Sequence, residues 1–240
     1  KKEKRSENLL PKIRVKIIKD SNELNLLTKT LEKENNLVSL DTETTSLNPI
    51  DAELVGIGIS VGDKLDDLYY IPVGHKSSDN NLKQLSLEVV FDSLKSWLES
   101  SNKVKTLQNC KFDRQIFYNH GIELNGVYFD TLLADYILNN QEKHGLNEIA
   151  FREFGFKVPS FKETIGNNKD FSYVDIKTAS IYCGYDVFLT RKISNLFLEK
   201  FKKSGRNLYK LFSEIELPLE PILSKMESNG IKIDVPYLGQ

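Results

Sequence analysis

Apolar residues gather into short runs in the first half of the chain and recur at helical spacing in the second. Leu37 to Asp41, Leu54 to Val61 and Leu68 to Val73 have strand length and are separated by polar or turn-forming residues, which predicts three successive strands. Glycine alternates through the second, in Gly56-Ile57-Gly58, and predicts close packing against a neighbour. Asn80 to Ser100 predicts a helix carrying Trp97 inward, and Val104 to Leu107 returns as a strand. Cys110 to His120 places Phe112, Ile116 and Phe117 at helical spacing. From Thr131 the pattern is almost wholly helical, with a break from Pro159 to Asp170 and a long helix from about Ile176 to Phe201. Three antiparallel strands followed by alternating helices and strands predict an α/β fold with a mixed sheet.

The first predicted strand ends in carboxylates. Asp41 and Glu43, two apart, point to the same face of a strand. Carboxylates so placed repel unless a cation neutralises them or one takes a proton. Hard oxygen ligands of this kind suit Mg²⁺ or Mn²⁺, and no Cys or His cluster has zinc spacing. A strand running out into a solvated acidic turn produces the same short pattern, so Asp41-x-Glu43 does not decide by itself. Asp113 falls in the first turn of a helix, where the dipole favours a carboxylate and simple capping accounts for it. Asn109 equally suits an ordinary N-cap. Tyr182 and Asp186, four apart, share one face of the long helix, which serves a structural hydrogen bond as well as a site. Together the four carboxylates suffice to build a site for two divalent metals that cuts a phosphodiester.

In that order, Asp41-x-Glu43, Asn109-x-x-x-Asp113 and Tyr182-x-x-x-Asp186 resemble the three motifs of the DEDD 3′–5′ exonucleases, in the branch with tyrosine in the third motif. The longer strings Asp41-Thr42-Glu43-Thr44-Thr45-Ser46-Leu47 and Gln108-Asn109-Cys110-Lys111-Phe112-Asp113-Arg114, followed by Phe129-Asp130-Thr131, are similar to the proofreading domain of A-family DNA polymerases. Tyr182-Cys183-Gly184-Tyr185-Asp186-Val187 is similar to the cyanobacterial members. The resemblance runs from about Val15 to the end, because Glu216-Leu217-Pro218-Leu219 and the segment from Ile222 to Asp234 resemble the opening helix of the polymerase domain. It implies an exonuclease domain over residues 1–205 and a truncated start of the polymerase domain over 206–240. The chain is then expected to be an excised piece of a longer polymerase, without polymerase activity of its own.

The resemblance also implies the ribonuclease H-like fold, a mixed β-sheet flanked by helices. It implies that Asp41, Glu43 and Asp186 bind one metal, that Asp41 bridges to a second, and that Asp113 holds the second mostly through water. Tyr182 would orient the attacking water, since a tyrosine with a pKa of about 10 is a poor general base. The substrate would be a single-stranded or frayed 3′ end of DNA, released as 5′-mononucleotides. By similarity, Thr44 contacts the last nucleotide, Leu47 wedges between terminal bases, Phe161 stacks, and Asn109 positions the second motif or the terminal nucleotide. A core leucine is an equal reading of Leu47. Such a groove accepts any sequence, so stacking and apolar wedges suit it better than base-edge hydrogen bonds. Tyr185 departs from the small or acidic residue of many relatives; it points about a hundred degrees around the helix from Asp186 and need not block the metals.

Length and composition agree with this reading. The 240 residues can bury a substantial core in one domain with a helical appendage. A net charge of −1 does not mark a nucleic-acid binder by itself, and Lys202-Lys203 and Arg206-Asn207 suit a solvated surface as well as a phosphate contact. Cys110 and Cys183 are expected to be small buried residues and not a disulfide. No apolar stretch has spanning length and the N-terminus lacks a secretory signal, so a soluble, monomeric, cytoplasmic bacterial protein is expected, or one of an organellar matrix. The polymerase domain of the same parent chain is the expected protein partner. Two other readings stand beside it: an RNA-trimming exonuclease of the ribonuclease D type, which shares the three motifs, and an exonuclease fold kept only as a scaffold for a polymerase, a state that in some members of the family goes with loss of the carboxylates.

Overall fold

Strands β1 (Val15–Ile17), β2 (Val38–Thr44), β3 (Leu54–Ser60), β4 (Leu68–Pro72), β5 (Lys105–Leu107) and β6 (Val127–Asp130) form one sheet in the computed structural model, which describes residues 8–76 and 83–239. The six-stranded order is β1-β4-β3-β2-β5-β6. β2, β3 and β4 are antiparallel neighbours, as their runs predict. β1 joins β4, β5 joins β2, and β6 joins β5, all in parallel, which makes the sheet mixed. The result is the ribonuclease H-like α/β arrangement that the motifs implied.

Helices cover both faces. On one, α1 (Ser21–Lys33), α2 (Leu87–Leu98) and α3 (Cys110–Asn119) bury Leu24, Leu27, Leu31, Leu94, Trp97, Ile116 and Phe117 against Leu40, Ile57 and Ile59 of the sheet. On the other, α4 (Thr131–Leu138) and α5 (Leu146–Phe154) pack on α7 (Ile176–Ser204), around Phe129, Ala134, Ile149, Val187, Ile193 and Phe197. The short α6 (Phe161–Ile165) lies between α5 and α7 in sequence. Past Gly205, α8 (Arg206–Leu211), a π-helical turn over Phe212–Glu216, α9 (Leu217–Asn229) and α10 (Val235–Leu238) complete the described chain. Residues 1–7, part of the basic N-terminal stretch, lie outside the described residues.

Several boundaries differ from the pattern-based expectation. β2 continues through Glu43 to Thr44: Glu43 is buried and Asp41 half-buried on the face that α7 covers. The helix expected from Asn80 begins at Leu87, where the Ser86 hydroxyl accepts from the Val89 amide, and residues 80–82 lie outside the described region. The break from Pro159 to Asp170 contains α6, opened by a capping box in which the Ser160 hydroxyl accepts from the Glu163 amide and the Glu163 carboxylate accepts from the Ser160 amide. β1, α1 and β6 were not predicted. α1 carried its signals in plain view: Asp20 accepts from the Asn22 and Glu23 amides, and Leu24, Leu27 and Leu31 repeat at helical spacing.

One tie joins the last helices to α3. Arg114 of α3 makes a paired ion contact with Glu220 of α9, Nε and Nη2 to the carboxylate at 2.8 Å each, and its Nη1 donates to the Leu124 carbonyl. Gln115 and Lys111 donate to Glu227 at 2.9 and 2.6 Å. Removing one partner of a buried pair strands the other charge, so Glu220→Ala is expected to lower unfolding stability by about 3–5 kcal/mol in urea titration. Lys111→Ala, whose partner is half exposed, is expected to lower it by less than about 1 kcal/mol.

Candidate active site

Where β2 crosses the middle of the sheet, its side chains alternate between the two faces. Asp41 stands opposite Gly58 of β3 and Glu43 opposite Gly56, so two carboxylates and two glycines share one face. A Cβ on Gly58 would run into the Cys183 sulfur, and one on Gly56 into the Tyr70 hydroxyl. The glycines let α7 and Tyr70 lie close against the strand pair, and α7 thereby delivers Cys183, Tyr182 and Asp186 to the carboxylates of β2. Cys183 Sγ donates to Asp41 Oδ2 at 3.6 Å. Glu43 is buried, and its Oε1 has no hydrogen-bond partner.

The second motif is built by a different device. Asn109 has φ 64°, in the left-handed region that asparagine tolerates, and its side chain does not cap α3. The ordinary N-cap reading of Asn109 is therefore corrected: Asp130 does the capping. Its carboxylate accepts from the Cys110 and Asn109 amides at 2.8 and 3.2 Å and from the Leu132 and Leu133 amides at 2.8 and 3.2 Å, pinning the starts of α3 and α4 together. Asp113, one turn into α3, is buried and accepts from the Thr42 hydroxyl at 2.6 Å. Asp113 stays in the first turn of α3, where the capping reading put it, and its burial and its contact to Thr42 tie it to β2 as well. Thr42 projects from the side of β2 opposite to Asp41 and Glu43, so the strand carries contacts to the acidic cluster on both faces.

Burial and crowding push every one of these carboxyls up. Desolvation raises Asp41 well above the ordinary range, with the Asp186 charge adding to it, and raises Glu43 with Asp41 and Asp186 adding. Desolvation raises Asp113, with Asp41 adding. Asp186 is lifted by desolvation to about 7, against the pull of the nearby Tyr182 hydroxyl. Desolvation and the neighbouring carboxylates also raise Tyr182, so its hydroxyl keeps its proton and acts as a donor. The Cys183 thiol is raised in the same way, which leaves it a neutral donor to Asp41 and not a thiolate ligand.

The remaining sequence-derived residues fall around this cluster. Phe161, partly buried, stacks on Phe171 at 5.8 Å with the rings 5° from parallel, and both lie beside the Tyr182 ring, at 6.5 and 5.8 Å. Thr44 is buried at the end of β2, where its hydroxyl donates to the Ser46 carbonyl at 2.9 Å. Leu47 is 79% exposed, which excludes the core-leucine reading. Tyr185 turns aside and donates to the Pro11 carbonyl at 3.1 Å. Both cysteines are free and buried, as expected. Sequence reasoning missed Asp130, Thr42 and Cys183 as parts of the site. Asp130 alone had a legible signal, an Asp directly before the helical pattern that starts at Thr131.

Among the described residues, potential ligand atoms of Asp41, Glu43 and Cys183 lie within 4.8 Å of one another, and Asp113 and Asp186 stand outside that tight group while still acting on it electrostatically. A cation fits here on the structure's own terms: it would neutralise the mutual repulsion and give the orphaned Glu43 oxygen a partner. The oxygen donors suit a hard divalent ion.

The family model described as 3′–5′ exonuclease matches residues 15–202. The chain is 40% identical over 236 residues to DNA polymerase I of Synechocystis sp., a match that covers 95% of this chain and 23% of that protein. It is 33% identical over 216 residues to DNA polymerase I of Borreliella burgdorferi, covering 90% of this chain and 23% of the relative. The chain thus spans about a quarter of the length of these relatives. Among solved structures it is similar to the POL domain of Mycobacterium smegmatis Pol1 in complex with DNA primer-template and dNTP, at a TM-score of 0.71 and 20% identity, over 94% of this chain and 34% of that one. It is also similar to Escherichia coli RNase D, at 0.67 and 16%, over 89% of this chain and 51% of that one. At these identities the solved structures speak for the fold.

The raised carboxyls make a thermodynamic prediction for the metal-free protein. Folding lifts Asp186 from 3.8 to about 7, so the folded form holds that proton more tightly. The stability this brings is complete below about pH 3.8 and lost as pH rises through about 7. In EDTA, Asp186→Asn should therefore melt close to the parent at pH 4 and above it at pH 8, and Mn²⁺ should raise the parent's Tm at pH 8 more than the variant's. A variant that melts below the parent at pH 8 would contradict the account of Asp186 as a carboxyl raised by burial.

Proposed function

The chain belongs to the 3′–5′ exonuclease family, and on that premise we propose that it removes nucleotides from a single-stranded or frayed 3′ end of DNA, using two divalent ions of the Mg²⁺ or Mn²⁺ kind. The observation that carries this is the convergence of Asp41, Glu43, Asp113, Asp186 and Tyr182 from three separate elements on one crowded, partly dry spot. A scaffold has no use for four carboxyls that destabilise one another. The ribonuclease D-type reading keeps the same motifs, but the stronger sequence matches are to DNA polymerase I proteins.

In this reading Asp41, Glu43, Asp113 and Asp186 are the residues that would hold the two ions between them, Asp41 and Glu43 from β2, Asp113 from α3 and Asp186 from α7. Bound there, the ions would supply charge neutralisation for the attacking and departing oxygens of an in-line displacement. Thr42 holds Asp113 by its hydroxyl and fixes one of its oxygens. Cys183 holds Asp41 from the opposite side. Tyr182 keeps its phenolic proton under the surrounding negative charge, so its Oη orients the attacking water and does not deprotonate it. Leu47, exposed on the loop after β2, is free to wedge between terminal bases; Phe161, braced by Phe171, offers a stacking face; Thr44 and Asn109 border the terminal nucleotide.

A polymerase domain in the same parent chain is the proposed protein partner. Ile215, Leu219, Ile222 and Met226 are exposed at spacings of four, three and four, an apolar stripe along the π-helical turn and α9 suited to a further domain. The division into residues 1–205 and 206–240 is supported by the family match ending at residue 202 and by the positive φ of 93° at Gly205 between α7 and α8. Monomeric behaviour is part of the same proposal. Among the described residues no helix is long and apolar enough to cross a membrane; work at the bacterial nucleoid belongs to the same proposal, on the strength of the DNA polymerase I matches.

Digestion of a 5′-labelled single-stranded DNA oligonucleotide tests the reading. A ladder shortening from the 3′ end is expected with Mg²⁺ or Mn²⁺, and none in EDTA or with Asp41→Ala. Tyr182→Phe is expected to lower kcat on the order of a hundredfold while leaving calorimetric Mn²⁺ affinity unchanged. Faster shortening of the matched RNA would favour the ribonuclease D-type reading. Full-strength metal binding without any digestion at saturating DNA would favour the scaffold.

A further inference from the structure

His75 is a buried titratable residue for which the proposed chemistry has no use. It sits just past β4, 4% exposed, and every polar atom it offers is engaged. Its backbone is clamped by Gln84, whose amide oxygen accepts from the His75 N–H at 3.0 Å and whose Nε2 donates to the His75 carbonyl at 2.9 Å. Its ring bridges two distant elements: Nδ1 lies 2.9 Å from the Val174 carbonyl and Nε2 lies 2.7 Å from the Tyr70 hydroxyl. The Val174 carbonyl can only accept, so Nδ1 carries the ring proton and Nε2 accepts from Tyr70. Burial holds the ring below the ordinary histidine range, and it is neutral.

The contact at Val174 falls at a sensitive place. Val174 ends the 3₁₀ turn Phe171–Tyr173 and precedes Asp175, the N-cap of α7. The same turn is held by the Lys76 N–H donating to the Ser172 carbonyl at 2.7 Å. Phe171 of this turn touches the His75 ring at 6.5 Å, stacks on Phe161 and packs on Tyr182. The chain of contact from His75 to the Tyr182 ring therefore passes through one hydrogen bond and one aromatic neighbour.

We propose that His75 is a positioning residue: through Val174 it fixes the turn that seats Phe161, Phe171 and Tyr182, and so sets where the Tyr182 hydroxyl stands in the acidic site. The inference rests on the reading that Tyr182 acts in exonucleolytic cleavage. It separates the two ring nitrogens, because the Nδ1 contact holds the backbone of the turn at Val174, while the Nε2 contact goes to Tyr70 of β4, which meets the turn only by side-chain packing beside Phe171.

Two substitutions divide those contacts. In His75→Asn the side-chain amide stands near the place of Nδ1 and can donate to Val174; in His75→Gln it reaches the place of Nε2 and can accept from Tyr70 while Val174 loses its donor. On the labelled oligonucleotide, His75→Gln should lose on the order of tenfold or more in kcat, with KM and Mn²⁺ affinity unchanged, and His75→Asn should recover most of that loss. Protein labelled with 3-fluorotyrosine supplies a readout apart from activity: the ¹⁹F signal assigned to Tyr182 through Tyr182→Phe should move in His75→Gln and return toward the parent position in His75→Asn. Full kcat with an unmoved Tyr182 signal in His75→Gln would overturn the proposal. Equal losses in both variants that track their Tm values would also overturn it, by reducing His75 to a packing residue. If the unsubstituted chain fails to digest DNA while the Tyr182 signal still separates the variants, the exonuclease reading fails and the positioning of Tyr182 by His75 stands.

Discussion

Asp41, Glu43, Asp113 and Asp186 repel one another in a corner from which much of the water has been removed, and the surrounding strands and helices have to hold that arrangement against its own repulsion. The clearest sign of the conflict is the Glu43 oxygen that is buried without a partner. An unmade hydrogen bond on a buried carboxylate costs about 1–3 kcal/mol or more, and four raised carboxyls add to it. Folding must therefore draw its net stability from elsewhere, and the two apolar layers on either side of the sheet are where it comes from.

How the corner is held depends on which element brings each group. β2 brings Asp41 and Glu43 by simple alternation, and Gly56 and Gly58 opposite them leave the room that α7 needs to descend. α3 brings Asp113, but only because Asp130 fixes the helix start and Thr42 takes hold of the carboxylate. α7 brings Asp186, and its N-terminal approach is governed by the turn at Phe171–Tyr173. Asp41, Asp113 and Asp186 are each met by a neutral thiol or hydroxyl donor, and among the described residues no cation of the protein pairs with any of the four. Arg114, the nearest basic side chain to Asp113 in sequence, is turned away to Glu220. That choice leaves the negative charge of the corner uncompensated by the fold and available to a bound ion.

Much of this was legible in the sequence, and the reason is physical. Asp41-x-Glu43 and Tyr182-x-x-x-Asp186 are spacings within one element, where periodicity alone says which side chains share a face. The antiparallel centre of the sheet and the long helix were readable for the same reason. What was not readable were relations between elements: that Asp130 caps α3 across twenty residues, that Thr42 reaches Asp113, and that Asn109 carries a left-handed backbone instead of a cap. Short edge pieces such as β1 carry too few alternations to stand out from a loop. Leu47 shows the limit from another side, since its hydrophobicity suits a core and only the turn that follows β2 puts it in solvent.

The ties on α3 suggest why the last helices of the chain matter to a site they do not touch. Asp130 fixes the N-terminal end of α3, and Arg114, Gln115 and Lys111 bind its first turns to Glu220 and Glu227 of α9. A helix held at its start and along its outer side can present Asp113 in only one place. If α9 shifted, the buried Arg114–Glu220 contact would have to break or carry α3 with it, and breaking it is the costlier path because both charges are largely removed from water. The opposite side of α9 is the exposed stripe of Ile222 and Met226. Whatever packs on that stripe therefore bears, through one ion pair, on the residue that completes the acidic corner, and the stiffness of that link is set by Arg114 and not by the apolar contact itself.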